Sequence, residues 1–159
     1  MTRPLAAVLV LVSVVLSGCR LSGLEFEQDT RIHFVAPKEN AVSYLPIVLT
    51  WTAHGVPASD VFALFVDRAP IQPGQNIDAV ADSQCRAVPG CFDRDYLNEH
   101  QVYLTQQDTF TLTSILHPPS SHKTTTADIH TVTIVLLNSD GVRIDESEFS
   151  RDFDLRVSD

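Results

Sequence analysis

The run Ile47-Val48-Leu49-Thr50-Trp51-Thr52-Ala53 decides the fold class. Ile47, Leu49 and Trp51 alternate with Val48, Thr50 and Thr52, a period of two that places the large apolar side chains on one face of a strand and a more polar set on the other. Such a strand is half buried, and its indole is expected to point into the space between two sheets. The same period recurs on both sides of it. Upstream, Ile32 and Phe34 alternate before Pro37; downstream, Phe62, Leu64 and Val66 alternate through Val61 to Val66. Phe110 and Leu112 continue the pattern around Thr109 to Ile115, and Val102 with Leu104 suggests a further strand. Ile129 to Leu137 reads as a longer strand, followed by a turn at Asn138-Ser139-Asp140-Gly141. Finally Phe149, Phe153, Leu155 and Val157 alternate with Ser150, Asp152, Asp154 and Arg156. About seven short strands, turn residues between them and no long amphipathic helix predict an all-β domain over residues 31–159.

Within that frame Val48-Leu49-Thr50-Trp51-Thr52 resembles the buried-Trp strand of fibronectin type III and immunoglobulin-like modules. Ile129 to Leu137 with the Asp140-Gly141 turn resembles their last two strands. The resemblance implies an immunoglobulin-like antiparallel β-sandwich. The departure from a minimal sandwich is Arg68 to Asp108, 41 residues where a compact module would use far fewer. Pro70, Pro73 and Gly74 supply turns there, and a helical turn is expected near Asp93. Cys85 and Cys91 flank Pro89-Gly90, and a turn at that point brings two cysteines to disulfide distance, so the insertion is expected to be pinned by that bond. Two roles stay open for it: a recognition loop, or a decoration that covers a sheet edge.

The chain begins with a different kind of signal. Arg3 precedes the uncharged run Leu5 to Leu16, whose 12 residues are too few for the roughly 20 that span a bilayer. The run ends in Leu16-Ser17-Gly18-Cys19, which resembles the lipobox of bacterial lipoproteins. The resemblance implies that residues 1–18 are a signal peptide, that Cys19 becomes a lipidated N-terminus, and that residues 19–30 tether the domain to a membrane of the cell envelope. Arg20, in place of Asp, points to the outer membrane in a cell that has one. Cys19 so assigned leaves Cys85 and Cys91 as an even pair in an oxidising compartment.

Charge narrows the partners. Without Arg3 the mature chain has ten Lys and Arg against twenty Asp and Glu, a formal charge of −10. Such a surface repels phosphate backbones, so nucleic acid is not expected as a partner. The residues carrying chemistry are scattered. Six histidines (33, 54, 100, 117, 122 and 130) show neither H-x-H nor H-E-x-x-H spacing, and the only Met is Met1. Asp93, Asp95 and Glu99 are oxygen donors beside Asn98, without the spacing of an EF-hand loop. Ser120-x-x-Lys123 lacks the S-D-N and K-T-G companions of penicillin-interacting enzymes. No nucleophile elbow, P-loop or dinucleotide fingerprint occurs, so no cofactor is expected. The reading is a non-catalytic, lipid-anchored envelope domain that binds a protein or glycan, with Asp93, Asp95, Tyr96 and Tyr103 of the insertion as candidate binding residues. The alternative is a small metal-dependent envelope factor or enzyme, in which His117 and His122, on either side of Pro118-Pro119-Ser120-Ser121, would meet in space.

Overall fold

A computed structural model describes residues 31–116, 128–144 and 149–155. The signal and lipobox segment with Cys19, the tether, His117, His122, Ser120, Lys123 and Val157 lie outside the described residues. Eight strands are described: β1 (Ile32–Ala36), β2 (Ala41–Ser43), β3 (Ile47–Ala53), β4 (Val61–Val66), β5 (Val102–Thr105), β6 (Thr109–Leu112), β7 (Asp128–Leu137) and β8 (Phe149–Leu155). They form two sheets, one of order β1-β3-β6 and one of order β2-β8-β7-β4-β5.

The two sheets face each other across one core. The alternation of β3 decides which side faces in, since Ile47, Leu49 and Trp51 are buried and Val48 is exposed. Trp51 is 0% exposed, and its ring meets Phe62 of the opposite sheet edge-on at 5.4 Å between centroids. Leu64, Val66, Ile134 and Phe153 complete the opposing face.

One pairing departs from the all-antiparallel expectation. β2 lies parallel to β8, with Ala41 opposite Phe153 and Ser43 opposite Leu155. The cause is a change of sheet between β1 and β2. After β1 the chain turns through Asn40, at φ +56°, whose N–H donates to the Asp152 carbonyl at 2.8 Å. Glu39 adds an ion pair to Arg151 at 3.1 Å, so the turn is fastened to β8 and β2 enters beside it. Three residues are too few to show a period, so Ala41–Ser43 was not expected as a strand.

The second departure concerns the insertion, which covers a sheet face as well as flanking an edge. Every residue from Phe62 to Val66 is buried, because β4 packs on both sides. Phe62, Leu64 and Val66 face the three-stranded sheet. Ala63 and Phe65, with Val135 and Leu137 of β7, face Ile71, Ile77, Val80 and Leu97 of the insertion. Three short helical segments build this layer, each started by a side chain that accepts from a free backbone N–H of the first turn. Asn76 caps the 3-10 turn Ile77–Val80, Asp82 caps α1 (Ser83–Arg86) and Asp93 caps α2 (Arg94–Glu99), the helical turn expected from sequence. The Cys85–Cys91 disulfide is formed, with the Cα atoms 5.3 Å apart. Arg143, 4% exposed, donates to the Ile71 carbonyl and ties the layer to the turn segment that follows β7. The expected turn at Asn138 to Gly141 is present, with Gly141 at φ +77° packed on Ile77, where a Cβ would come within 3.2 Å.

Candidate functional site

β5 and β6 are terminal strands of their respective sheets, so the seam between the sheets opens where they lie side by side. Tyr103 of β5 and Phe110 of β6 close it. Their rings sit 5.0 Å apart at 37°, half buried, with inner parts packed against the main core. The register explains the meeting: Tyr103 pairs with Leu64 and Phe110 with Leu49, and both partners point inward. Burial raises the Tyr103 phenol above its ordinary pKa. α2 packs along β5 and turns Arg94 and Asn98, four residues apart on one helix face, toward the pair. With Leu104, Thr113 and Ser114 these side chains line a groove of ≈ 360 Å³.

Of the four candidate residues read from sequence, only Tyr103 lines this groove. Asp93 accepts from the Tyr96 N–H at 2.8 Å as the α2 cap. Tyr96 is engaged within the insertion: its hydroxyl accepts from the Asp82 N–H at 3.0 Å and its ring stacks on His100 at 3.9 Å. Asp95 is exposed in the first turn of α2. Arg94, Phe110, Thr113 and Ser114 were not read as binding residues in sequence, and Asn98 entered only as a neighbour of the Asp93, Asp95 and Glu99 carboxylates. The spacing of Arg94 and Asn98 was the available signal, once α2 was expected. Phe110 carried no such signal, because alternation marks it as core and only its place on a terminal strand leaves it half open.

The groove offers two aromatic faces, a guanidinium fork, a side-chain amide and three hydroxyls, of Tyr103, Thr113 and Ser114. Its lining contains no carboxylate, imidazole, amine or thiol. Among the described residues no group of three or more His, Cys, Asp and Glu side chains comes together to hold a metal ion. No helix among them is long and apolar enough to cross a membrane. Compared with known proteins, the chain matches no family model, no curated protein and no solved structure.

Proposed function

We propose that this chain is a lipid-anchored, extracytoplasmic binding module of the bacterial cell envelope, non-catalytic, that holds a glycan in the groove between α2, β5 and β6. The carrying observation is the composition of that groove. Sugar rings present apolar C–H faces that pack on aromatic rings and hydroxyls that bond to fixed polar groups, and Tyr103 with Phe110 and Arg94 with Asn98 supply these two halves. The lining has no acid–base pair and no nucleophile beside a base, so the site is suited to holding and not to cleaving. Placement in the envelope rests on Leu16-Ser17-Gly18-Cys19 and the preceding apolar run.

The strand order supports an immunoglobulin-like reading of the two sheets. β1, β3 and β6 take the places of strands A, B and E, and β8, β7, β4 and β5 those of G, F, C and C′. In that assignment the helical layer is an enlarged C–C′ connection. The test is binding to immobilised envelope glycan by the wild type, Tyr103→Ala and Arg94→Ala proteins. Each substitution is expected to weaken binding roughly tenfold, about 1.4 kcal/mol. Retention of full glycan affinity by both variants would overturn the assignment, as would capture of a protein that both variants still hold.

A further inference from the structure

The only charged side chain lining the groove between α2, β5 and β6 is a cation, Arg94. Its setting makes that unusual, because the sequence carries 20 Asp and Glu against 11 Lys and Arg. Arg94 also differs from other guanidinium groups of the fold. Arg68, Arg86 and Arg143 donate to the carbonyls of His100, Ala79 and Ile71, and Arg151 donates to the Glu39 carboxylate. Arg94 is exposed and makes no side-chain hydrogen bond, ion pair or ring contact among the described residues. Its acidic neighbours in sequence do not line the groove: Asp93 is engaged as the α2 cap, and Asp95 is one step round the helix, where successive side chains do not face each other. The next residue on the face of Arg94 is Asn98, an amide. Burial holds the Tyr103 phenol protonated, so it adds no negative charge.

We infer, on the basis of the glycan assignment made above, that the sugar held in this groove is an acidic one and that Arg94 determines this specificity by pairing with a carboxylate on the ring. A guanidinium presents parallel N–H donors that match the two oxygens of a carboxylate, and charge-assisted bonds of this kind are roughly twice as strong as neutral ones. A neutral sugar would leave the fork on hydroxyls that Asn98, Thr113 and Ser114 already serve. The acidity of the whole chain does not oppose the pairing at contact distance, since exposed charges more than about 8 Å apart are largely screened at physiological salt. It does turn away long polyanions, whose charges lie against the rest of the surface as well. The groove, at ≈ 360 Å³, is near the small end of ligand sites, which run from about 300 to 1,000 Å³, and suits a short stretch of one glycan.

The full chain in detergent is titrated calorimetrically with trigalacturonate, with its full methyl ester, with a sulfated neutral trisaccharide and with triglutamate. The ester keeps the ring faces and the ring hydroxyls and removes the charge. Trigalacturonate is expected to bind about fivefold more tightly than the ester, the upper end for an ion pair at an exposed position. Arg94→Gln, a change that an exposed helix position accepts, should bring the acid-to-ester ratio to about one. Arg94→Lys, which keeps the charge and loses the fork, should leave the ratio between the two. An acid-to-ester ratio below about twofold in the wild type, or one that Arg94→Gln does not lower, would overturn the assignment. So would tighter binding of the sulfated sugar, which would make the ligand group a sulfate, or of triglutamate, which would make it an acidic peptide. Should acid and ester bind equally while Tyr103→Ala weakens both, the groove still holds a glycan and only its acidic character falls. Should no sugar bind at all, both assignments fall.

Discussion

Trp51 shows how far one residue can be read from its neighbours. Its period with Ile47 and Leu49 predicted burial, and the side chain is 0% exposed against Phe62. Trp51→Ala is therefore expected to cost about 3–5 kcal/mol, a large share of a domain's roughly 5–15 kcal/mol, and urea unfolding measures it. The indole N–H makes no hydrogen bond among the described residues, so Trp51→Phe breaks none and should cost clearly less than the alanine change. The emission of the wild type should be blue-shifted and protected from iodide. Asp67 and His130 lie 63 positions apart and no local pattern joins them. Asp67 sits at φ +53°, with one carboxylate oxygen 2.6 Å from His130 Nδ1 and the other accepting from the Thr131 N–H. Asp67→Ala removes both acceptors and leaves an alanine in left-handed backbone, at an expected cost of about 2–3 kcal/mol, while Asp67→Asn should cost less because Asn tolerates that backbone and keeps one acceptor. For Tyr103, burial lets the folded chain keep the phenolic proton to higher pH than the unfolded chain does. That contribution is intact below about pH 10 and is lost as pH rises through the folded-state value. Tyr103→Phe should flatten the alkaline fall in stability.

At the scale of elements, period-two reading found the strands with one wet face and missed what two of them share. In Val61-Phe62-Ala63-Leu64-Phe65-Val66 and in Ile134-Val135-Leu136-Leu137 the apolar run is continuous, which is the mark of a strand covered on both faces. The continuous apolar runs of β4 and β7 thus mark a third layer, whereas the length of the connection alone fits a loop or an edge cover equally well. Of the helix starts within that layer only the one near Asp93 was expected; Asn76 and Asp82 begin segments of four residues, too short to carry a period of their own. Replacing residues 70–99 by a short flexible linker should uncover Phe65, Val135 and Leu137, and the product should aggregate or bind a hydrophobic dye. A soluble, dye-silent monomer would show that the layer is not needed to cover the sheet. Replacing Cys85 and Cys91 together by Ser should have a milder effect. The ring holds five intervening residues, so its loss is expected to cost on the order of 2 kcal/mol while the strand signal in circular dichroism persists.

For the whole molecule, seven of the eight described strands were legible and strand neighbours were not, because which strand lies beside which depends on pairings between distant residues. The groove follows from that order. Tyr103 and Phe110 meet only because β5 and β6 end their sheets on the same side, and no reading of either strand alone brings the rings to 5.0 Å. The N-terminal segment is of the opposite kind, a local pattern that needs no fold to be understood. A run of 12 uncharged residues is shorter than the roughly 20 that span a bilayer, so the lasting attachment proposed above would rest on a lipid at Cys19. Each buried methylene contributes about 0.8 kcal/mol, one fatty chain holds a protein only marginally, and two or more hold it durably. The formal charge of −10 carried by residues 19–159 adds no attraction to anionic headgroups and opposes adsorption without lipid. Cys19→Ala is therefore expected to abolish fatty-acid labelling and leave an uncleaved precursor in a bacterial host. A chain that begins at residue 20 behind a cleavable secretory signal should be released as soluble protein, with the Cys85–Cys91 bond formed. Retention of that chain in the membrane after a high-salt wash would show that the folded domain itself binds the membrane or a resident partner, and the proposed division between a lipid that anchors and a domain that recognises would fall.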